Sequence, residues 1–456
     1  MKKETVTTNQ ITEGVIWKQL LLFFFPIVLG TFFQQLYNTA DTIVVGRFVS
    51  KEALAAVGGS AAQIVGLIVG FFVGLASGAS VIISQFYGAK NRVQLNRALH
   101  TAYAFSIIGS IFITVLGILI APWMLELMHT PQETMADALL YLRIYFAGII
   151  FVFIYNVGSS ILRAMGDSRR PLYYLIVCCI LNIVLDIVLV IVFHMGVAGV
   201  SIATIFSQGV SAVLITRALM HSDDLYQLEF RKIRFHKSAL ISLIWVGCPT
   251  GIQSVLYSVT NMLIQTFLNN LGTDTVAAWS AFGKIDSLYW MVNNAFGIAV
   301  TTFVGQNFGA GKYDRMKKSV RIGLCMGLCT ALTLTLIFYN FGTPLFRLFT
   351  SDENVVSIGM QMLYHVAPAY CLFVFIELLS GALRGTGDVV IPMLITCFGV
   401  CLLRIAWLFF IVPLAQGLNT IVLSYPVTWA ITAVMFIVYY CYQAKKWPKS
   451  SAKKTA

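Results

Sequence analysis

The sequence has few charged residues, which make up 11% of its 456 positions. An ordinary soluble protein carries about 25% charged residues. So few charges cannot cover the surface of a soluble fold of this length. Hydrophobic residues make up 58% of the chain. The composition therefore excludes a soluble enzyme, a disordered protein and a secreted disulfide framework, and it indicates a polytopic membrane protein.

Motifs for metal binding, disulfide formation and catalysis are also missing. The nine cysteines lie in apolar stretches, and no CxxC or Cys/His ligand spacing occurs. No clustered set of His, Asp and Glu at metal spacing is present. We therefore expect no catalytic residue, no metal and no bound cofactor, and we do not expect an enzyme. No cleavable signal peptide is expected either, because the first apolar run is long enough to be a retained span.

Long apolar windows are abundant. A helix needs about 20 mostly apolar residues to cross the hydrocarbon core. Windows of this kind fall at roughly 20–45, 54–82, 99–122, 136–161, 171–193, 197–219, 239–270, 275–303, 322–343, 356–382, 390–413 and 417–442. The sequence thus predicts an all-α membrane protein with twelve transmembrane helices, here called spans one to twelve.

The basic residues are distributed unevenly between the loops. If the N-terminus is cytoplasmic, 25 of the 31 Lys and Arg residues lie in cytoplasmic segments, and only Arg47, Lys51 and Arg347 lie on the opposite side. This bias predicts that both termini are cytoplasmic. It also accounts for the net charge of +12 through topology and attraction to anionic membrane lipid, so nucleic acid is not an expected partner.

The two halves of the chain resemble each other. Leu162-Arg163-x-x-Gly166-Asp167 ends span four, and Leu383-Arg384-x-x-Gly387-Asp388 ends span ten, 221 residues later. Further residues repeat at the same or nearly the same spacing. These pairs are Gln85 and Gln306, Gly88 and Gly309, Ala89 and Ala310, Pro171 and Pro392, and Pro26 and Pro249.

This repeat predicts a domain organisation. We expect an N-terminal six-helix lobe at 1–220, a charged cytoplasmic linker at 221–237 and a C-terminal six-helix lobe at 238–456. Because each repeat has an even number of spans, a pseudo-two-fold axis along the membrane normal should relate the lobes, as in transporters built from parallel repeats. A central cleft between such lobes suits alternating access better than a channel, since no filter-like sequence appears.

Acidic residues within the spans are the first candidates for function, since charges at this depth are costly. Asp41 lies in span one before the apolar stretch has ended. Asn182 and Asp186 in span five are four residues apart and therefore share one helix face. Such oxygens can bind a proton or coordinate Na⁺, whereas the alternative is a structural network between helices or, for Asp41, an interfacial acid.

Two further acids lie in the second half. Glu377 in span ten could attract a cationic substrate or titrate, and the alternative is a structural pair with Arg404 of span eleven. Lys284 and Asp286 in span eight are two residues apart and point to different faces. They either line the cleft or pair through neighbouring groups.

The repeated Arg/Asp motifs have two interpretations. Arg163 with Asp167 and Arg384 with Asp388 stand four residues apart at cytoplasmic helix ends. Helix termination is the first interpretation, and a contribution to an inner gate is the second.

Taken together, twelve spans in two repeats, Pro26 through Asp41 in span one, the Gln-x-Tyr/Phe-Gly-Ala motifs and the paired Leu-Arg-x-x-Gly-Asp motifs resemble the multidrug and toxic compound extrusion (MATE) family. The chain is most similar to its bacterial DinF-like branch. The resemblance implies a multi-pass antiporter of the bacterial inner membrane that exports organic, often cationic compounds, including xenobiotics, in exchange for H⁺ or Na⁺. We expect it to act as a monomer.

The resemblance also implies site residues. The cation-coupling site of that branch falls on Asp41, Asn182 and Asp186, and Thr204 of span six completes it. If Asp41 and Asp186 approach each other, they should titrate as a coupled pair, and span one could bend near Pro26. The candidates for the substrate cleft are Gln34, Tyr37, Asn38, Gln253, Tyr257, Asp286 and Glu377.

Two other functions are less compatible with the sequence. A lipid-linked-saccharide flippase of the related superfamily would need extra spans or a strongly basic cavity, and only Arg143, Lys284 and Arg404 lie within spans. A membrane-embedded enzyme would need a catalytic cluster that the sequence lacks.

Overall fold

The computed structural model describes residues 11–222 and 226–448. These residues form helices and no β-strand. In chain order the helical runs are α1 (Ile16–Phe48), α2 (Lys51–Gly88), α3 (Arg92–Leu127), α4 (Gln132–Ala147 and Ile149–Ala164), α5 (Arg169–Val192), α6 (Gly196–Met220), α7 (Lys237–Asn269), α8 (Thr273–Gly309), α9 (Tyr313–Arg347), α10 (Glu353–Gly385), α11 (Val390–Phe410) and α12 (Leu418–Lys446).

Most of these helices can cross a membrane. In the described part of the chain, ten are long and apolar enough, and α4 is an eleventh if its two segments, bent by 51°, form one span. Helix α8 is also long, at 37 residues, but it is more polar because it carries Asp274, Lys284 and Asp286. The predicted all-α polytopic architecture is confirmed, and each predicted window falls on one of these runs.

The chain divides into two compact units, Phe25–Gly251 and Met1–Phe24 with Ile252–Ala456. We call Phe25–Gly251 the first unit and the remainder the second unit. The division differs from the sequence repeat in two helix segments. The beginning of α1 belongs to the second unit, and the beginning of α7 belongs to the first unit. Both exchange points lie within two residues of a helix-interior proline, Pro26 in α1 and Pro249 in α7.

Small residues allow close helix packing in the first unit. A Cβ added to Gly74 of α2 would lie 2.5 Å from the backbone nitrogen of Gly251, and one added to Gly78 would lie 2.5 Å from that of Gly247. The backbones of α2 and of the first half of α7 therefore touch. Close contact through glycine is how helices associate where the surrounding lipid removes the hydrophobic driving force between them.

The repeated Leu-Arg-x-x-Gly-Asp motif ends a helix in both units. Gly166 and Gly387 have φ values of +95° and +91°, in the left-handed region that favours glycine. The N–H groups of Asp167 and Asp388 donate to the carbonyls of Leu162 and Leu383, at 2.9 and 3.2 Å. This is a Schellman-type ending, which satisfies the last carbonyls of the helix. Its presence supports the helix-termination interpretation of the motif.

Candidate cation site

The first unit brings Asp41 of α1 close to Thr204 of α6. The Thr204 hydroxyl lies 3.1 Å from Oδ2 of Asp41 and 3.0 Å from the carbonyl of Val200, so it can donate to either. Thr204 lies on the buried face of α6, which follows α5 and carries other small polar residues there, such as Ser201 and Ser207.

Asn182 and Asp186 of α5 complete the cluster. Both side chains are fully buried, as their i,i+4 spacing on one helix face predicts. Nδ2 of Asn182 donates to the Thr204 hydroxyl at 3.5 Å, and Asn182 and Asp186 both lie beside Asp41. The helix changes from α to π geometry immediately after Asp186, at Ile187–Val192. Such π segments occur frequently at functional sites.

Buried acceptors without donors characterise this cluster, here called the carboxyl cluster (Asp41, Asn182, Asp186 and Thr204). Oδ1 of Asp41, Oδ1 of Asn182 and both carboxylate oxygens of Asp186 are shut off from solvent and receive no hydrogen bond from the residues that the structure describes. Two adjacent carboxylates repel each other when both are charged, and a buried acceptor without a donor is costly. A proton or a small metal cation placed among these oxygens would reduce the repulsion and give the acceptors a partner.

Gln208 extends the carboxyl cluster and was missed from the sequence. Its Nε2 donates to the Tyr37 hydroxyl at 3.2 Å, while its Oε1 has no hydrogen-bond partner in the described part of the chain. Tyr37 lies one turn before Asp41, and Gln208 lies one turn after Thr204. The i,i+4 spacing of two polar residues in α6 was the signal that could have identified it.

Four other residues were predicted for the cleft. Gln34 and Asn38 of α1 are exposed, whereas Gln253 and Tyr257 lie half-buried in the second half of α7. Asn38 uses its backbone carbonyl to accept a hydrogen bond from Thr42 at 2.8 Å.

Asp286 occupies an aromatic pocket in the second unit. The Tyr370 hydroxyl donates to Oδ1 and the indole Nε1 of Trp290 donates to Oδ2, both at 2.6 Å. The rings of Tyr289 and Tyr370 stack at a centroid distance of 3.8 Å. Asp286 is thus held by aromatic donors, and Lys284 forms no ion pair within the part of the chain that the structure describes.

The alternative pairing of Glu377 with Arg404 is wrong. Glu377 binds Arg384 of its own helix, with 3.2 Å between Oε1 and Nη2. Arg404 donates to the Thr428 hydroxyl at 3.1 Å and packs its guanidinium 3.9 Å from the Tyr425 ring centroid. The physical reason is that the two residues of α10, seven positions apart, share one helix face, while α11 turns Arg404 toward α12.

The two Arg/Asp motifs use their side chains differently. Asp167 accepts the N–H groups of Arg169 and Arg170 at 3.0 and 3.1 Å and forms a salt bridge with Arg170. Asp388 instead accepts the Tyr439 hydroxyl at 2.6 Å. Among the described residues, neither Asp forms a salt bridge with the Arg that stands four positions before it. The motif is therefore shared for its backbone ending and not for an ion pair.

No group of three His, Cys, Asp or Glu residues able to hold a metal occurs among the described residues.

The fold and the site together define a polytopic helical membrane protein with a buried carboxyl pair in one unit. The MatE family model matches residues 26–188 and 249–410, once in each half. The chain belongs to this family, which confirms the resemblance seen in its motifs.

Named relatives and solved structures agree with this assignment. The chain is 27% identical to "Probable multidrug resistance protein YoeA" of Bacillus subtilis, over 97% of each chain. It is 30% identical to "Probable multidrug resistance protein YpnP" of the same organism, over 86% of this chain and 88% of that protein. A solved structure described as the outward-facing conformation of a multidrug resistance MATE family transporter matches at a TM-score of 0.91, with 22% identity over 98% of this chain and 100% of that one.

Proposed function

We propose that this protein is a multidrug efflux antiporter that exports small organic, often cationic compounds in exchange for H⁺ or Na⁺. Its relatives carry the name of multidrug resistance proteins, and its family supports a transporter and not an enzyme. We further propose that it acts as a monomer in the bacterial inner membrane, with both termini in the cytoplasm. The 25 to 3 distribution of basic residues supports this orientation.

The carboxyl cluster is the observation that carries the proposal. Four buried acceptor oxygens on Asp41, Asn182 and Asp186 lack a donor and lie beside the Thr204 hydroxyl. Carbonyl and carboxylate oxygens are the ligands that Na⁺ takes in transporters, and the same carboxylates can accept protons. Both coupling ions therefore fit the donor set, and the experiment below distinguishes them.

Coupling follows from charge. One proton or one Na⁺ taken up between Asp41 and Asp186 removes one unit of negative charge from the cluster. A ligand shifts a conformational equilibrium only through its different affinity for the two states. Cation binding from outside therefore favours the state in which the cluster is less negative, and cation release inside restores that charge. Exchange results if the organic cation binds the charged state more tightly.

The second unit contributes a candidate site for the organic cation. Asp286 supplies a negative charge, and Trp290, Tyr289 and Tyr370 supply ring faces and donors around it. Ring faces attract cations that have been stripped of water. Glu377 is a weaker candidate, because Arg384 already neutralises it.

A lipid-linked-saccharide flippase is not favoured. Such a protein would bind a diphosphate with several basic groups, but Arg404 is occupied by Thr428 and Tyr425 and Arg143 is exposed. The two relatives from Bacillus subtilis are also named as probable multidrug resistance proteins.

The test uses purified protein in proteoliposomes. Efflux of ethidium is followed under an imposed pH gradient and then under a Na⁺ gradient, for the wild type, Asp41→Asn and Asp186→Asn. Glu133→Gln is the matched control, because Glu133 is an exposed acid at the start of α4. We expect flux with one gradient, its loss in both cluster variants and its retention in the control.

Two results would contradict the proposal. Wild-type flux in both Asp variants would remove the carboxyl cluster from the coupling mechanism. No flux with either ion, across a panel of organic cations, would move the assignment toward lipid-linked substrates.

A further inference from the structure

A second polar site lies at one end of the first unit, outside the carboxyl cluster. A cavity of about 220 Å³ is enclosed by the start of α3 and by residues 227–236 of the linker. Its wall includes Arg92, Arg97, Lys232, Arg234, His100 and His236. The transport mechanism proposed above does not use these residues.

The positive charge of this cavity is not neutralised by the protein around it. Lys232 is paired with Glu229, with 2.5 Å between Nζ and Oε1. Arg92, Arg97 and Arg234 form no ion pair in residues 11–222 and 226–448. Three guanidinium groups thus converge on one cavity, and their mutual repulsion would be relieved by an anion.

The cavity is also held in shape by specific bonds between the linker and α3. His100 is 3% exposed, and its Nδ1 lies 2.7 Å from the carbonyl of Asn96, so Nδ1 carries the proton. Its Nε2 accepts the backbone N–H of Glu229 at 3.1 Å. The backbone N–H of His236 donates to the Thr101 hydroxyl at 3.2 Å. The linker is therefore fastened to α3 on both sides of the cavity.

We propose that this cavity binds a phosphate ester, with the guanidinium groups of Arg92, Arg97 and Arg234 as its ligands. Guanidinium matches phosphate geometry through paired N–H donors. The cavity lies at the first turn of α3, where a span meets water, and basic pockets at this depth bind lipid headgroups. The phosphate comes from an anionic phospholipid or from a soluble phosphate ester, and the experiment separates these sources.

The test measures binding by the full-length protein and does not depend on transport. Native mass spectrometry and thermal unfolding in detergent are recorded with phosphatidylglycerol, with phosphatidylcholine, with glycerol phosphate and with inorganic phosphate. The variant carries Arg97→Gln and Arg234→Gln. The control carries Arg231→Gln and Lys237→Gln, which remove the same charge from exposed positions that do not line the cavity.

We expect the wild type and the control to bind phosphatidylglycerol at least tenfold more tightly than the cavity variant, with little binding of phosphatidylcholine. Stabilisation by glycerol phosphate without a preference for phosphatidylglycerol would identify a soluble ester instead. A second variant carries Arg97→Lys and Arg234→Lys, which keep the positive charge but remove the paired N–H donors of guanidinium. This variant should bind phosphatidylglycerol with intermediate affinity, and it tests the proposal even if the Gln variant fails to fold. Equal losses in the cavity and control variants would overturn the proposal, because binding would then depend on surface charge alone.

Discussion

The hydroxyl of Thr204 lies 3.1 Å from the carboxylate of Asp41, although 163 positions separate the two residues in the chain. This contact joins α1 to α6 at the carboxyl cluster. The same hydroxyl oxygen accepts from Nδ2 of Asn182 in α5, so Thr204 connects three helices at this cluster.

Replacing Thr204 should weaken the coupling ion's binding. Hydrogen bonds to charged groups contribute about 1.5–3 kcal/mol, which corresponds to roughly tenfold to hundredfold in affinity. We expect Thr204→Ala to raise the ion concentration needed for half-maximal efflux by about this factor. Thr204→Ser keeps the hydroxyl and should stay near the wild type. Ion titrations of efflux in proteoliposomes measure both, and identical curves for Ala and Ser would contradict the role of the hydroxyl.

Asp186→Asn should make the protein more stable and less active. The change removes one of two adjacent buried carboxyl groups, and three of their four oxygens have no donor among the described residues. Each kcal/mol of relieved repulsion corresponds to about 2–4 °C in melting temperature for a domain of 150–250 residues. The gain should be largest in Na⁺-free buffer at high pH and should shrink when protons or Na⁺ neutralise the wild-type pair. Functional sites often exchange stability for activity in this way.

Melting curves in detergent at two pH values and two Na⁺ concentrations test this interaction. Glu133→Gln serves again as the exposed control and should change neither stability nor its dependence on the ions. A gain in Asp186→Asn that is the same in every buffer would mean that the carboxyl pair is not the origin of the effect.

The sequence predicted the architecture and part of this site for identifiable reasons. Hydrophobic length determines spans almost by itself, because every backbone polar group must be bonded within the membrane. The i,i+4 spacing placed Asn182 and Asp186 on one face, and the resemblance supplied Asp41 and Thr204 as their partners. These predictions depend on local periodicity or on the resemblance to the family. Neither source needs to know how one helix is rotated about its axis relative to its neighbour.

The pairs that the sequence could not supply depend on that rotation. The alternative that paired Glu377 with Arg404 of the next helix is wrong, because Glu377 binds Arg384 two turns away on its own helix. The donors of Asp286 include Tyr370, 84 positions distant, which no spacing rule could select. Packing of side chains at the helix interfaces sets such pairs, and a single sequence contains no direct signal for it.

Removing the aromatic donors of Asp286 should destabilise the second unit. Tyr370→Phe removes one of the two donors at 2.6 Å and leaves a buried acceptor unsatisfied, which costs about 1–3 kcal/mol. Tyr339→Phe is the matched control, because the Tyr339 hydroxyl bonds the Tyr364 carbonyl at an exposed position. We expect a clear fall in melting temperature for the first variant and a small one for the second. Equal effects would show that the Asp286 bond adds nothing beyond a surface hydrogen bond.

The linker should loosen as pH falls, through His236. Burial lowers the pKa of His236, and the neighbouring Arg234, Arg97 and His100 lower it further. Because its pKa is lower in the folded protein than in the unfolded chain, His236 stabilises the folded linker above its usual pKa of about 6.5 and loses this contribution as pH falls through the folded value. A bound phosphate would offset the repulsion, bring the pKa of His236 back toward its usual value and so make the loss smaller.

Hydrogen exchange of the peptide covering residues 226–236 measures this loosening between pH 8 and pH 5.5, after correction for the intrinsic exchange rate. We expect faster corrected exchange at low pH in the wild type and a weaker pH dependence in His236→Gln, which keeps a polar side chain without the charge. Phosphatidylglycerol should slow the low-pH exchange of the wild type but not that of the variant carrying Arg97→Gln and Arg234→Gln. The same pH dependence in the wild type and His236→Gln would assign the effect to another group and contradict the role of His236.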